Sequence, residues 1–309
     1  MRPQESLAIP LGRVAGARAS AAAVAVLLLA SSAAAQAPSA DEIARGKYIF
    51  GATTGCGCHT EPGGALNAGG YKFEMPFGTV YSSNITPDRE TGIGGWTDDQ
   101  IVQGIRAGRR PNGERLIPVH PYASFNGMAA EDLRALVAYL RTVPPVRRPN
   151  TPRKITLPLF DSVILPGWIG VFMQLETPPP KAPTSGVARG EYLVRAVSHC
   201  GECHTPRAMT NAMDPSRFLS GAQKGKGPEG AEVPNITPDR ETGIGNWTAE
   251  QIAEYLGTGN RPDGDVAGGL MERVIKGTAA GFKDLSQADR LAIARYLKTV
   301  PPIKNKIGE

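Results

Sequence analysis

The sequence predicts a mainly α-helical protein made of two tandem domains that are rich in loops. Its 309 residues suit about two domains at the usual length of roughly 100 to 200 residues each. The 37 glycines and 27 prolines form about 21% of the chain, against a typical share of roughly 12%, so loops are abundant. A hydrophobic content of 41% with 20% charged residues is typical of a globular protein and excludes a disordered, collagen-like or coiled-coil chain.

The N-terminal residues have the pattern of a secretory signal peptide. Three arginines precede an uncharged apolar run at residues 21–30, and small residues continue to Ala35, which predicts a signal peptide over residues 1–35. That run is too short to span a membrane, and no later stretch reaches about 18 uninterrupted apolar residues. We therefore expect an exported protein with no transmembrane segment in the mature chain. Without residues 1–35 the net charge is +3, which argues against nucleic acid as a partner.

An internal repeat indicates the two domains directly. Residues 84–96 read NITPDRETGIGGW and residues 235–247 read NITPDRETGIGNW, with twelve of thirteen positions identical at an offset of 151. The openings RGKYIF and RGEYLV and the endings AYLRTVPPV and RYLKTVPPI also match. The predicted organisation is listed in chain order: a first domain at 39–147, a Pro-rich interdomain segment at 148–184, and a second domain at 185–304.

Each predicted domain begins and ends with a helix. Ser39, with Glu42 three residues later, is a capping-box start for the first helix, and Ser286 with Asp289 forms a similar pair in the second copy. Apolar residues recur at helical spacing near the end of each copy: Leu133, Leu136, Val137 and Leu140 in the first, and Leu291, Ile293, Ala294 and Leu297 in the second. Period-two alternation, the signal for strands, is absent. Each domain therefore resembles a few helices around a non-protein group; two plain helical bundles are the alternative.

The second copy carries the chemical motif Cys200-Gly201-Glu202-Cys203-His204. C-x-x-C-H is the attachment motif for c-type haem, because two thiols one helical turn apart reach the vinyl groups while the adjoining imidazole reaches the iron. A redox disulfide and a zinc site are the alternatives. Neither of them needs a histidine directly after the second cysteine.

With the RGxYL opening, the C-x-x-C-H motif, the NITPDxxTGIGxW loop and the AYLxxxPP ending, the chain resembles a known family. These are the dihaem cytochromes c that serve as electron-transfer subunits or partners of periplasmic dehydrogenases, and the likeness covers nearly the whole mature chain. It implies two tandem cytochrome c-type haem domains holding two haem c groups, in an electron carrier rather than an enzyme. It also implies a periplasmic protein, either free or associated with the membrane through a partner.

The first copy departs from the motif. It reads Cys56-Gly57-Cys58-His59, with one residue fewer between the thiols than in the second copy. His59 keeps its place beside Cys58, so iron ligation and one thioether remain feasible, whereas the second thioether needs a distorted turn. The alternatives are a haem held through one thioether and a haem-free domain, with or without a Cys56–Cys58 link.

In this family a methionine late in each domain commonly provides the sixth iron ligand. Met271 lies 24 residues after Trp247, and the residue 24 positions after Trp96 is His120. The resemblance and the repeat together predict the pairs His59/His120 for the first iron and His204/Met271 for the second.

Other residues compete for these roles. Met209 and Met213 are alternatives at the second iron, and Met75 and Met128 at the first, while His120 could be an ordinary surface histidine. His199 has no counterpart in the first copy and is predicted at the rim of the site rather than on the iron. The indoles of the repeated loop, Trp96 and Trp247, are candidates to pack beside haem and donate a hydrogen bond to a propionate; the alternative is a loop held only by its own side chains.

These features predict an exported cytochrome that takes electrons from a dehydrogenase and passes them to another cytochrome or an oxidase. A haem enzyme that oxidises a small sulfur or organic substrate is one alternative, but it would need an open or easily displaced ligand. A carrier with only the second haem is another. A haem-based sensor would need an effector domain, for which the sequence gives no sign.

Overall fold

Helices from the two ends of each repeat pack against one another. The computed structural model describes residues 37–308, and in it a helix that opens each repeat crosses a helix that closes it. The opening helices are α1 (Ala40–Ala52) and α6 (Gly186–Tyr192), and the closing helices are α4 (Ala130–Leu140) and α10 (Gln287–Leu297). A third helix, α2 (Asp98–Ala107) or α8 (Ala249–Thr258), packs on the closing helix. The two repeats therefore have the same helical framework, and the prediction of a mainly α protein is confirmed.

Shorter elements lie between these helices. The remaining α-helices are α3 (Tyr122–Phe125), α5 (Leu165–Phe172), α7 (Gly201–His204) and α9 (Gly269–Lys276). The 3₁₀ turns are Thr54–His59, Pro215–Arg217, Pro228–Gly230 and Phe282–Asp284, and two π-helical turns are Phe160–Ile164 and Leu193–Val197.

The first repeat and the segment that follows it form a small antiparallel sheet, which the sequence pattern does not predict. Its strands are β1 (Lys72–Met75), β2 (Gly78–Tyr81) and β3 (Lys154–Ile155), in the order β1-β2-β3. Strands of two to four residues are too short to show an alternation of polar and apolar side chains.

The two predicted helix starts are present. The Ser39 side chain accepts a hydrogen bond from the Glu42 amide at 3.1 Å, and Ser286 accepts one from the Asp289 amide at 3.1 Å. Full capping boxes occur instead at the starts of α2 and α8, where Thr97 pairs with Gln100 and Thr248 with Gln251.

One glycine in each opening motif allows the close helix crossing. A Cβ atom on Gly46 would lie 1.9 Å from the Ala135 carbonyl oxygen, and one on Gly190 would lie 1.9 Å from that of Ala292. No side chain fits at such distances, so the glycine of RG(K/E)Y lets the backbones of α1 and α4, and of α6 and α10, meet directly.

The repeated NITPDRETGIG loop clamps the end of each repeat. The side-chain amide nitrogen of Asn84 donates to the Val146 carbonyl at 2.8 Å, and the side-chain amide nitrogen of Asn235 donates to the Ile303 carbonyl at 2.7 Å. The side chains of both asparagines are buried, so these bonds replace the water contacts that the amides lose. The loop therefore fastens the chain that follows α4 and α10.

Each repeat contributes a tyrosine that hydrogen-bonds to an aspartate of the other repeat, across a shared core. The hydroxyl of Tyr48 in the first repeat donates to the Asp289 carboxylate of the second at 2.7 Å, and the hydroxyl of Tyr192 in the second donates to Asp132 of the first at 2.7 Å. Each aspartate also binds the arginine of its own repeat, Arg45 or Arg189. One hydrophobic core contains residues of both repeats, and the described residues from Pro38 onward belong to a single compact unit. The contact has the reciprocal form of a two-fold interface.

The segment at 148–184 is more ordered than its proline content suggests. It contains β3, the π-helical turn at Phe160–Ile164 and α5. Phe160 and Leu165 pack on Ile117, in the loop that leads to His120. Within the described residues no helix combines the length and apolar character needed to cross a bilayer. The predicted signal peptide, residues 1–35, lies outside the described residues.

Candidate functional site

The C-x-x-C-H motif of the second repeat forms a single helical turn. The amides of Cys203 and His204 donate to the Cys200 carbonyl at 3.3 and 3.0 Å, which brings the two thiols to one side of α7. Both thiols are free and half-buried, and burial raises the pKa of Cys200 and of Cys203 to about 12. Two protonated thiols, one turn apart and beside an imidazole, suit covalent attachment to the two vinyl groups of a haem.

The imidazoles of both motifs make the same hydrogen bond. Nδ1 of His59 lies 2.7 Å from the Ser83 carbonyl oxygen, and Nδ1 of His204 lies 2.8 Å from the Pro234 carbonyl oxygen. A carbonyl only accepts, so Nδ1 carries the proton and Nε2 presents its lone pair. Burial also lowers the pKa of both rings, which favours the neutral form that binds metal.

The shortened motif of the first repeat lies in the 3₁₀ turn Thr54–His59. Thr54 and Gly55 both have left-handed backbone, with φ of 67° and 60°, which tightens the chain before the thiols. A Cβ on Gly55 would lie 2.1 Å from the Ala280 carbonyl oxygen, so the second repeat packs directly on this turn. Cys58 is a free, exposed thiol beside His59. The backbone of Cys56 belongs to the turn, and its side chain lies outside the described part of the structure.

His120 faces the site from the loop before α3. Its Nδ1 is buried and has no hydrogen-bond partner. Burial is the main reason that its pKa falls to about 3, and the positive charges of His59, His199 and Arg110 lower it further. The charge of His59 thus acts on His120, and the His120 ring keeps an unpartnered nitrogen. Neutral imidazole donors of this kind fit the two axial positions of a haem iron.

Met271 lies in the first turn of α9, half-buried and packed on the shared core. Of the alternative ligands, Met209, for the second iron, is fully exposed, and Met128, for the first iron, is completely buried in the shared core. Met75 lies in β1 and Met213 is a half-buried loop residue.

The two repeated tryptophans are half-buried against the core. Trp247 contacts Tyr255 edge-on, with ring centroids 5.6 Å apart. The backbone carbonyls of both tryptophans accept hydrogen bonds from cations at the ends of the closing helices: Arg141 donates to Trp96 at 2.5 Å and Lys298 donates to Trp247 at 2.9 Å. The repeated loop is therefore held at both of its ends in each repeat.

His199 packs between the repeats rather than at a free rim. Its ring meets Phe125 of the first repeat edge-on, with ring centroids 5.2 Å apart, and the Phe125 ring also meets His120 edge-on at 5.7 Å. The backbone of His199 is left-handed, with φ of 40°. Sequence spacing gives no sign of this contact, because Phe125 comes from the other copy of the repeat.

No protein-family model matches the chain. Among curated relatives, it is 39% identical to the diheme cytochrome c-type protein of Cereibacter sphaeroides over 85% of this chain and 87% of that protein. It is 36% identical to the fructose dehydrogenase cytochrome subunit of Gluconobacter japonicus, over 87% of this chain and 54% of that subunit.

A third relative, the cytochrome c subunit of alcohol dehydrogenase (quinone) from Gluconacetobacter polyoxogenes, is 36% identical over 89% of this chain and 60% of that subunit. The chain thus spans little more than half the length of the two dehydrogenase subunits, but most of the diheme protein. The identity over this length, together with the attachment motif and the oriented imidazoles, shows that the chain belongs to the dihaem cytochrome c family, whose members include cytochrome c subunits of dehydrogenases.

Proposed function

We propose that this chain is an exported dihaem c-type cytochrome that carries electrons from a partner dehydrogenase to a downstream cytochrome or terminal acceptor. The observation that carries the proposal is the hydrogen bond of His59 and His204 to equivalent backbone carbonyls, because it prepares both repeats to bind iron. The names of the relatives support a dehydrogenase as the electron donor. The chain is accordingly an electron-transfer protein and not a catalytic subunit.

Each repeat supplies its own set of haem contacts. In the first, Cys58 with Cys56 would provide attachment, and His59 and His120 would bind the iron. In the second, the set is Cys200, Cys203, His204 and Met271. A haem iron supplies a reversible one-electron couple. The protein holds each motif imidazole in one tautomer, and the Trp96 and Trp247 indoles would donate hydrogen bonds to the haem propionates.

Contacts between the repeats support transfer from one haem to the other. The turn Thr54–His59 touches α9 of the second repeat, and Phe125 of the first repeat touches His199, next to Cys200. Cys58 also lies close enough to Cys203 to raise the pKa of that thiol, after the larger effect of burial. Both attachment segments therefore lie at the interface between the repeats.

A carrier with only the second haem is the second candidate. The exposed Cys58 thiol and the shortened, left-handed turn before it favour this reading, because they depart from the regular turn of Cys200–His204.

Intact-mass spectrometry separates these candidates. The full chain, expressed in a host that matures c-type cytochromes, should gain the mass of two haems. The Cys200→Ala/Cys203→Ala variant should keep one of them, on the peptide that contains Cys58. A single haem on the wild type, confined to the Cys200–Cys203 peptide, would establish the one-haem carrier instead.

The relay itself is tested in the native host. The tagged chain should copurify with a dehydrogenase, and addition of the substrate of that enzyme should reduce the haems. Deletion of the gene should abolish oxygen uptake driven by that substrate, while the dehydrogenase still reduces an artificial dye. Unchanged oxygen uptake in the deletion strain would contradict the proposal.

A further inference from the structure

The helix that carries Met271 is anchored more tightly at its C-terminal end than at its N-terminal end. Ile275 is buried in the core at 2% exposure, and a Cβ on Gly277 would lie 1.8 Å from the Ala280 carbonyl oxygen. At the other end, the N-cap Gly268 provides no side-chain hydrogen bond, and an added Cβ on Gly268 or Gly269 would meet nothing within 4 Å. The turn with Met271 therefore depends on side-chain contacts for its position.

Arg273 provides such contacts, and they reach the first repeat. Its Nη1 donates to the Tyr71 hydroxyl at 3.0 Å, and its Nη2 donates to the Glu229 carboxylate at 2.8 Å. The Tyr71 hydroxyl in turn donates to Glu229. We call these three residues the Tyr71 latch. Two of its members belong to the second repeat, and Tyr71 belongs to the first.

The backbone at Glu229 is held in an unfavourable conformation. Its φ and ψ are 56° and 22°, in the left-handed region that residues with a Cβ avoid. Such a conformation persists only where the surroundings determine it, and it often marks a functional contact. Here it turns a carboxylate toward Arg273 and Tyr71. The helix that carries Arg273 also contacts the first attachment turn, Thr54–His59.

We propose that Tyr71 is a positioning residue for Met271, which it holds in place through Arg273 and Glu229. The proposal rests on the assignment of Met271 as the sixth ligand of the second haem. It makes the ligation of the second haem dependent on a side chain of the first repeat, so that the interface between the repeats also controls an axial ligand.

A neighbouring ion pair provides a matched control. Lys276 and Glu272 lie on the same helix and form an exposed (i, i+4) pair that does not leave α9. Lys276→Gln therefore removes one exposed ion pair from α9 and leaves the contact with the first repeat intact.

The experiment uses the haem-loaded full chain and imidazole, which competes with methionine for the iron. The oxidised wild type should show the weak near-infrared thioether-to-iron band, and imidazole should abolish it. Tyr71→Phe and Arg273→Gln should keep the band but lose it at about fivefold lower imidazole concentration, the effect expected for an exposed, hydrogen-bonded pair. The double variant should resemble Arg273→Gln alone, because both changes open the same latch. Lys276→Gln should match the wild type.

Two results would overturn the proposal, and they differ in what else they reject. If the wild type has the band and both latch variants titrate like Lys276→Gln, Tyr71 has no positioning role and the ligand assignment stands. If the wild type lacks the band, or Met271→Ala retains it, both the ligand assignment and the latch are wrong.

Discussion

The hydrogen bonds of His59 and His204 explain why one loop is repeated almost unchanged. Their carbonyl acceptors, on Ser83 and Pro234, directly precede the asparagines that clamp the end of each repeat. The same few residues thus orient the motif imidazole and fasten the chain after the closing helix. A change in either function would disturb the other, because the backbone between them is continuous.

His120→Met should raise the lower of the two reduction potentials. Methionine sulfur favours reduced iron, whereas a second imidazole favours the oxidised form, so the wild-type haem with His59 and His120 should be the lower one. Electrons would then enter at the first haem and leave from the second. Spectroelectrochemical titration should show the lower wave moving toward the upper one in the variant.

His199→Gln is the control for this experiment, because it changes the imidazole beside Phe125 without removing a proposed ligand. Its lower wave should stay well below the upper one. An unchanged lower wave in His120→Met would show that His120 does not bind the iron, and the proposed direction of electron flow would have no support.

At the scale of elements, Gly190→Ala should separate α6 from α10. The new Cβ would lie 1.9 Å from the Ala292 carbonyl oxygen, so the helices must move apart. We expect a loss of about 1–3 kcal/mol in the free energy of unfolding, as for other overpacked sites. Denaturant unfolding of the haem-loaded protein measures it.

Gly167→Ala is the matched control, since it lies in α5 and an added Cβ meets nothing within 4 Å. It should leave stability equal or slightly higher, because alanine favours helix. Equal stabilities of Gly190→Ala and the wild type would show that the crossing is looser than the structure indicates.

The repeated loop should also contribute to acid sensitivity. Asp239 accepts hydrogen bonds from the Thr242 hydroxyl and the Thr242 amide, both at 2.7 Å, and these lower the pKa of the carboxyl group. The stabilisation is therefore complete above the ordinary aspartate pKa of about 4 and is lost as the pH falls through the lowered value.

Asp239→Asn should consequently be less stable than the wild type at neutral pH, with a difference that shrinks as the solution is acidified. Urea midpoints measured from pH 7 down to about pH 3 give the comparison. A difference that stays constant over this range would show that the charge on Asp239 contributes nothing.

At the scale of the whole molecule, the reciprocal tyrosine contacts should make the two repeats unfold together. The Tyr192 hydroxyl donates to the fully buried Asp132 and accepts from the Ala129 amide at 3.1 Å. Tyr192→Phe should lower the free energy of unfolding by about 1–3 kcal/mol, because it removes a partner from buried groups. Tyr48→Phe should cost less, since Tyr48 is only half-buried.

Both variants should unfold in one transition. Haem absorbance and far-ultraviolet circular dichroism monitor the unfolding. Tyr255→Phe is the control for a change within one repeat, because the Tyr255 ring contacts Trp247 of the same repeat. Two separate transitions in the wild type would show that the repeats are independent.

Much of the molecule could be read from the sequence because the signals are local. The C-x-x-C-H motif, the helix caps at Ser39 and Ser286 and the helical spacing in α4 and α10 each involve residues within a few turns of one another. The covalent chemistry of a haem and the geometry of a helix impose these spacings on any chain that uses them. The repeat then extends each inference from one half to the other.

The tertiary structure alone decided how the halves meet. Its contacts join residues that lie far apart in the sequence: the hydrogen bonds of Tyr48 and Tyr192 to the opposite repeat, the packing of His199 on Phe125, and the contact of Tyr71 with Arg273. Hydrogen bonds and ring contacts of this kind depend on distance and direction in space. They produce no regular spacing of residues in the sequence. The sequence therefore indicated the family, the opening and closing helices and the candidate haem ligands, whereas only the folded chain decided which side chains of one repeat contact the other.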